Sequence, residues 1–334
     1  MVDEETRPLC ELYEAARAEG GRLTVYAGGD IPTQQDGVLD AFAAAFADVH
    51  LDMIVDYSKY HDVRIDRQIA TGSLVADVTQ LQTSFDFTRW KRQGLLTDYK
   101  PAGFDQVHDL FKDPDGSWVA VAVYAFSYLT GVEGGPASPE ELADPRWKGK
   151  IASSHPGDDD ATLFLFKKYA DVYGWDWLTA LADQGLAFHR GTNSPGEAVA
   201  AKTHPVGLAG AAAGLPGVDW RLPTAPHPFL AWGQRAAMLR GAPHPAAARL
   251  YLNWMLSADV QRTGFLGWGV RTDVLPDSGP AVWDLPEAHV AEFYAFMEDR
   301  ALVEWWRQSM VLLFGEVRGE PTPGWLGPRP TRHA

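Results

Sequence analysis

The first third of the chain alternates two hydrophobic periods. LTVYAGG (Leu23 to Gly29), LDMIVDYS and ADVTQLQ are short β-rich runs, each closed by small or polar residues. Between them, GVLDAFAAAFADV places Leu39, Phe42, Ala43 and Phe46 on one helical face. KYHDVRIDRQIATGS reads as a second helix with Ser58 as N-cap and Gly72 as its stop, and TSFDFTRWKRQGLL as a third. This βαβαβ order with short connections predicts a parallel, doubly wound α/β sheet. In such sheets ligands bind beyond the carboxyl ends of the strands. Those ends are Gly28-Gly29-Asp30, Tyr57-Ser58 and Gln80 to Thr83.

WVAVAVYAFSYLTG predicts a long strand, suited to crossing between two lobes, and WRLPTAPHPFLAWGQRAAML reads as a second crossing. Between them lie the run SSHPGDDDATLFLFKKYADVYGW, a helix at GWDWLTALADQ and a strand at HPVGLAGA. HPAAARLYLNWMLSADVQRTGF is strongly amphipathic, and EAHVAEFYAFMEDRALVEWWRQSMVLLF is mostly helical. The tail PTPGWLGPRPTRHA is Pro/Gly-rich and is expected to be a surface extension.

Composition narrows the function classes. The 334 residues suffice for two domains, and 46% hydrophobic residues with 13 Trp and 15 Phe support well-developed cores. A net charge of −15, with no basic run, argues against nucleic acid and against an anionic membrane surface. No stretch approaches the ~20 apolar residues of a membrane span. The single cysteine, Cys10, allows neither an intrachain disulfide nor a cysteine metal site, and its amphipathic setting suggests a small buried hydrophobe. MVDEETRPL lacks the features of a secretory signal, so the chain as written reads as cytoplasmic or as one whose signal has been replaced.

LTVYAGGD, YSKYHDVRIDRQIATGSLVADVTQLQ, GLLTDYKPAG, ADPRWKGKIA and MLRGAPHPAAARLYLNWMLS occur in an order that resembles the extracellular solute-binding proteins of bacterial ABC importers, in the iron(III) or polyamine-type branch. The resemblance runs from about Leu23 to Gly269. It implies a two-lobed type II periplasmic-binding-protein fold, each lobe a doubly wound sheet. Residues 1–124 plus 228–334 would form the first lobe and 125–227 the second, with hinge closure on a ligand and a periplasmic or extracellular location. A membrane permease would be the partner.

The candidate ligand residues follow from the strand ends. Gly28, Gly29 and Asp30 offer backbone N–H groups without Cβ bulk at the two glycines. Ser58, Tyr60 and His61 stand at the next helix start, and Gln82 and Thr83 supply amide and hydroxyl partners. Tyr124 and Trp232 are candidate aromatic walls on the crossings, with core packing as the competing role. Downstream, His155, Asp158, Asp159, Arg190 and Thr192 surround two further helix starts. One aspartate of the run Asp158–Asp160 is expected to cap the helix and the others to give the cleft a negative wall. Asp158 and Asp159 with His155 are candidate ligands of a hard cation. Arg190 is expected to pair with this run, or else to grip a carboxylate or phosphate.

The iron-binding members imply two neighbouring tyrosines in the later half. No Tyr-Tyr pair occurs here, and Gly207 to Gly217 is small and apolar, so iron held through tyrosinate is not expected. The acidic run suits a hard cation or an amine-bearing organic ligand. No cofactor is called for beyond such a bound metal ion. The competing class is a cytoplasmic enzyme on the same fold, with His61 or His155 beside Asp159 as general acid/base.

Overall fold

The computed structural model describes residues 2–131, 135–211, 214–263, 267–276 and 279–319. The tail PTPGWLGPRPTRHA lies outside them. The chain forms two compact units, one comprising Met1–Tyr124 and Gly233–Ala281, the other Ala125–Trp232 and Val282–Pro321.

In the first unit the elements run α1 (Leu9–Glu19), β1 (Arg22–Gly28), α2 (Asp36–Ala45), β2 (His50–Asp56), α3 (Ser58–Ala70), β3 (Val78–Leu81) and α4 (Ser84–Gln93). The β1 strand pairs in parallel with β2, Gly28 opposite Asp56, and with β3, Ala27 opposite Gln80. The three carboxyl ends therefore share one edge of the sheet. Strand β3 also pairs antiparallel with the part of β9 (Leu230–Met238) that returns to this unit, followed by α8 (Pro245–Met255) and α9 (Ala258–Thr263). Leu23, Val25, Phe42, Met53, Leu250, Tyr251 and Met255 are buried in one core cluster. Tyr26, Ile65, Leu81, Phe87 and Trp90 are buried in another. The apolar period of each element, 2 for strands and 3.6 for helices, is what fills these two layers. Cys10 is exposed, because α1 buries Leu12 and Ala16 and turns position 10 away.

The second unit takes over within β4 (Val119–Gly131) and adds β5 (Ile151–Ser154), α5 (Asp160–Tyr173), α6 (Trp175–Ala182), β6 (Ala187–His189), α7 (Ser194–Ala200), β7 (Val206–Gly210) and β8 (Val218–Arg221). Strand β4 lies between β8 and β7, both antiparallel to it, and β7, β5 and β6 are mutually parallel in that order. Two C-terminal helices, α10 (Val290–Glu298) and α11 (Arg300–Phe314), complete the unit. Phe164 meets Phe293 and Phe296, Phe166 meets Phe314, and Trp175 stacks on Trp306 at 5.2 Å. This segment thus packs with the second unit, whereas the sequence reading assigned 228–334 as a whole to the first lobe. The mostly helical stretch expected at 287–314 breaks at Asp299, whose side chain accepts from the Leu302 N–H and starts α11 afresh.

Candidate functional site

Three strand ends and two helix starts converge on one edge of the first unit. The β1 strand stops at Gly28 and Gly29, and the Gly29 N–H donates to the Asp56 carbonyl at 3.0 Å, so the chain hugs β2 as it leaves the sheet. A Cβ at Gly28 would lie 2.3 Å from Ser58 Oγ and 3.2 Å from Gln234 Nε2. Only glycine fits, because Ser58 Oγ is itself fixed by accepting the Gln82 N–H at 3.0 Å. Behind Gly28, the buried Gln35 donates to its carbonyl at 3.4 Å. Gln35 also hydrogen-bonds the Tyr124 phenol, whose pKa burial pushes up to about 12. The Asp30 N–H donates to Gln34 Oε1 at 2.6 Å.

Ser58 was expected as the N-cap of α3, but the cap position is Tyr57 and Ser58 is the first helical residue. That shift frees its hydroxyl to tie α3 to the end of β3. Neither α3 nor α4 receives a side-chain cap, from Tyr57 and Thr83 respectively. First-turn N–H groups at both helix starts are therefore left to other acceptors. Ser84, buried to 1% exposure, has a hydroxyl with no hydrogen-bond partner. Lys59 adds a cation at 5.3 Å from the Tyr57 ring and 5.6 Å from the Tyr60 ring, a cation–π pairing. Ser84, Lys59, Gln35 and Gln234 were missed by sequence reading, whereas Tyr57 was named with Ser58 as a strand end. Ser84 and Lys59 adjoin residues that were named. Gln35 and Gln234 reach Gly28 from positions that carry no local signal.

His61 belongs to the interior instead. It is fully buried, stacked on Tyr26 with ring centroids 4.8 Å apart, and its Nδ1 accepts from Arg64 at 2.9 Å. Arg64 also binds the buried Asp56 at 3.0 Å. Burial, with the Arg64 charge second, lowers its pKa to about 3, so the ring is neutral at physiological pH. The spacing Ser58, His61, Ile65 is the sheet-facing stripe of α3. The imidazole expected to be exposed at this edge is thus a buried, neutral ring already accepting a hydrogen bond.

In the second unit the aspartate run is resolved one residue at a time. Asp159 is the N-cap of α5, accepting the Thr162 N–H at 2.7 Å. Asp158 pairs with Arg190 at 2.6 Å. Asp160 pairs with Arg300 at 2.8 Å and with Arg307. The expected negative wall is thereby neutralised by three arginines. His155 is buried, and its Nδ1 accepts the Gly157 N–H at 2.9 Å. Burial, as the leading cause, lowers its pKa. Asp158, Asp159 and His155 thus have roles that compete with a shared cation. Among the described residues no group of three or more His, Cys, Asp or Glu is arranged to hold a metal ion. Thr192 is buried and its carbonyl accepts the Ala211 N–H at 3.1 Å. Trp232 is 3% exposed and packs on Phe126 and Phe293, which makes it core and not an aromatic wall.

Comparison with known proteins agrees with this architecture. No curated protein matches the chain. Among solved structures, iron-bound HitA from Pseudomonas aeruginosa is similar over 86% of this chain and 99% of its own, at 18% identity and TM-score 0.66. The periplasmic binding protein AfuA from Actinobacillus pleuropneumoniae, with exogenous fructose-6-phosphate bound, is similar over 88% and 99%, at 19% identity and TM-score 0.67. The substrate binding protein of an ABC transporter from Agrobacterium tumefaciens is similar over 88% and 94%, at 15% identity and TM-score 0.70. The fold is the two-lobed type II periplasmic-binding-protein fold. The model of the family described as bacterial extracellular solute-binding protein matches residues 32–262. The chain belongs to the bacterial extracellular solute-binding proteins, whose work is to capture a solute for an ABC importer.

Proposed function

We propose that the solute is a small polar organic molecule with an anionic group, bound at the strand-end edge of the first unit and delivered to a membrane permease outside the cytoplasm. The observation that carries this reading is the pair of helix starts without side-chain caps, α3 and α4, at an edge lined by Gly28, Ser58, Gln82, Thr83 and Ser84. Helix N-termini favour negative charge, and hydroxyls and amides suit a polar body. In the second unit the helix start that follows the aspartate run, α5, is capped by its own Asp159, whereas α6, α7 and α10 lack a side-chain cap. Lys59 supplies a positive charge at the same edge.

This reading departs from the cation or amine expected from the aspartate run, since those carboxylates are paired with Arg190, Arg300 and Arg307. The enzymatic alternative loses its main candidate base with the burial of His61. Titration calorimetry with fructose-6-phosphate, fructose, inorganic phosphate, a polyamine and ferric ion tests the class. Heat from the phosphorylated or another organic anion, reduced at least tenfold in affinity by Gly28→Ala, supports the proposal. Tight binding of ferric ion or polyamine, with no organic anion bound, refutes it.

A further inference from the structure

Behind the α3 and α4 starts lies a group of charges that the ligand edge does not use. Asp86, in the first turn of α4, is fully buried. Its Oδ2 and the Oδ1 of Asp62 on α3 are both buried and have no conventional hydrogen-bond donor. The cations nearby are already engaged. Arg89 binds Asp86 at 2.9 Å and Asp66 at 2.7 Å. On α3, Arg64 binds Asp56 and His61, and Lys59 faces Tyr57 and Tyr60. On β9, Arg235 donates to the Ser84 carbonyl at 2.7 Å and stacks on Trp118. Asp66 takes a further hydrogen bond from Trp90 Nε1 at 2.7 Å. Thr83 stands beside Asp86. Three carboxyl groups therefore gather at one guanidinium, and the Asp62 and Asp86 side chains lie within hydrogen-bonding reach of each other.

Two buried carboxylate oxygens without a donor are costly, and one proton placed between them removes both deficits. We infer that Asp62 and Asp86 hold one proton between them, and that this proton clamps the N-terminal turns of α3 and α4 to each other. The Asp62 carboxyl is the proton's carrier and Asp86, backed by Arg89, its acceptor. Burial first, then the Asp86 charge, raises the Asp62 pKa to about 8. The clamp is closed below that range. Above it, two like charges confront each other between helices whose starts frame the strand-end edge. A divalent cation would also bridge two carboxylates, but a third ligating group is lacking among the described residues.

The sign of the pH dependence is fixed by the direction of the shift. An acid whose pKa is higher in the folded state than in the unfolded chain binds its proton in the fold at pH values where the unfolded chain has lost it. This contribution to stability is complete below about pH 4 and declines as pH rises to about 8. Asp62→Asn places a permanent N–H donor where the proton sits. The unfolding midpoint of wild type, corrected by that of Asp62→Asn at each pH from 5 to 9 in the presence of a chelator, is expected to fall up to pH 8 and then level. Parallel profiles for the two proteins would overturn the inference, as would a clamp that chelation abolishes. Should Asp62→Asn fail to fold, infrared spectroscopy of wild type labelled at aspartate carboxyls decides. A protonated carboxylic acid band at pH 7 that disappears by pH 9 supports the shared proton, and its absence at pH 7 refutes it. These measurements read stability and protonation only, so they stand or fall independently of the proposed ligand.

Discussion

The Asp160 carboxylate lies 2.8 Å from the Arg300 guanidinium, joining the first turn of α5 to the first turn of α11 across 140 residues of sequence. Arg307, two turns further along α11, grips the other oxygen of the same carboxylate. One aspartate thus fastens the C-terminal helix to the second unit, and burial of Trp306 and Phe166 completes the seam. Asp160→Ala leaves both guanidiniums without this acceptor, and charge-assisted hydrogen bonds of this kind contribute roughly 1–3 kcal/mol. Urea unfolding is expected to show a loss of that size, with hydrogen exchange accelerated first in α11. Ligand affinity is expected to stay within twofold.

Asp159 has a different and smaller task. Its side chain satisfies the Thr162 N–H at the start of α5, and removing such a cap costs about 1 kcal/mol. Asp159→Ala is expected to lower stability by that amount, and Asp159→Asn to restore most of it. Equal losses for both variants would show that the charge matters more than the cap.

Gly28→Ala tests the ligand edge. The added methyl would stand 2.3 Å from Ser58 Oγ, so Ser58 must rotate away from the Gln82 N–H it accepts. Overpacking of this kind costs typically 1–3 kcal/mol. A fall in stability of that order is expected, together with loss of solute binding out of proportion to the fraction unfolded. Unchanged binding would move the solute elsewhere.

His61 sets the acid side of the stability profile. Its pKa is lowered in the fold to about 3, so the unfolded chain takes up a proton that the fold refuses. The stability of the neutral ring is fully present above about pH 6.5 and is lost as pH falls towards 3. His61→Phe keeps the stacking on Tyr26 but cannot titrate. The stability difference between wild type and variant is expected to change by roughly 3 kcal/mol between pH 7 and pH 4. A constant difference would mean that His61 is solvated. Asp62 acts in the opposite sense over much of this range, so the variant comparison, not the raw wild-type curve, isolates the imidazole.

The alternation of periods in residues 23–93 made the first unit's strands, helices and shared strand-end edge legible, because each element there packs mainly against its sequence neighbours. The aspartate run was legible as a helix start and misleading as a site. Nothing near Asp160 in the chain announces that its partners are Arg300 and Arg307. The same reasoning explains the C-terminal helices, whose amphipathic pattern shows that they pack but not on which unit. His61 was misjudged for a local reason: its place near a strand's carboxyl end suggested exposure, while its place on the Ser58–Ile65 stripe buried it. The Asp62–Asp86 encounter joins two helices, and neither aspartate carries a local signal of the other.

The most direct test of the account is the unfolding midpoint of the wild-type protein across sugar phosphates, small organic acids, free sugars, polyamines and ferric ion. A solute present at about 100 times its dissociation constant stabilises the fold by about 2.7 kcal/mol, a shift of several degrees. The account predicts that shift for one class of organic anion, and its loss in Gly28→Ala. A shift produced by ferric ion or a polyamine alone would contradict it.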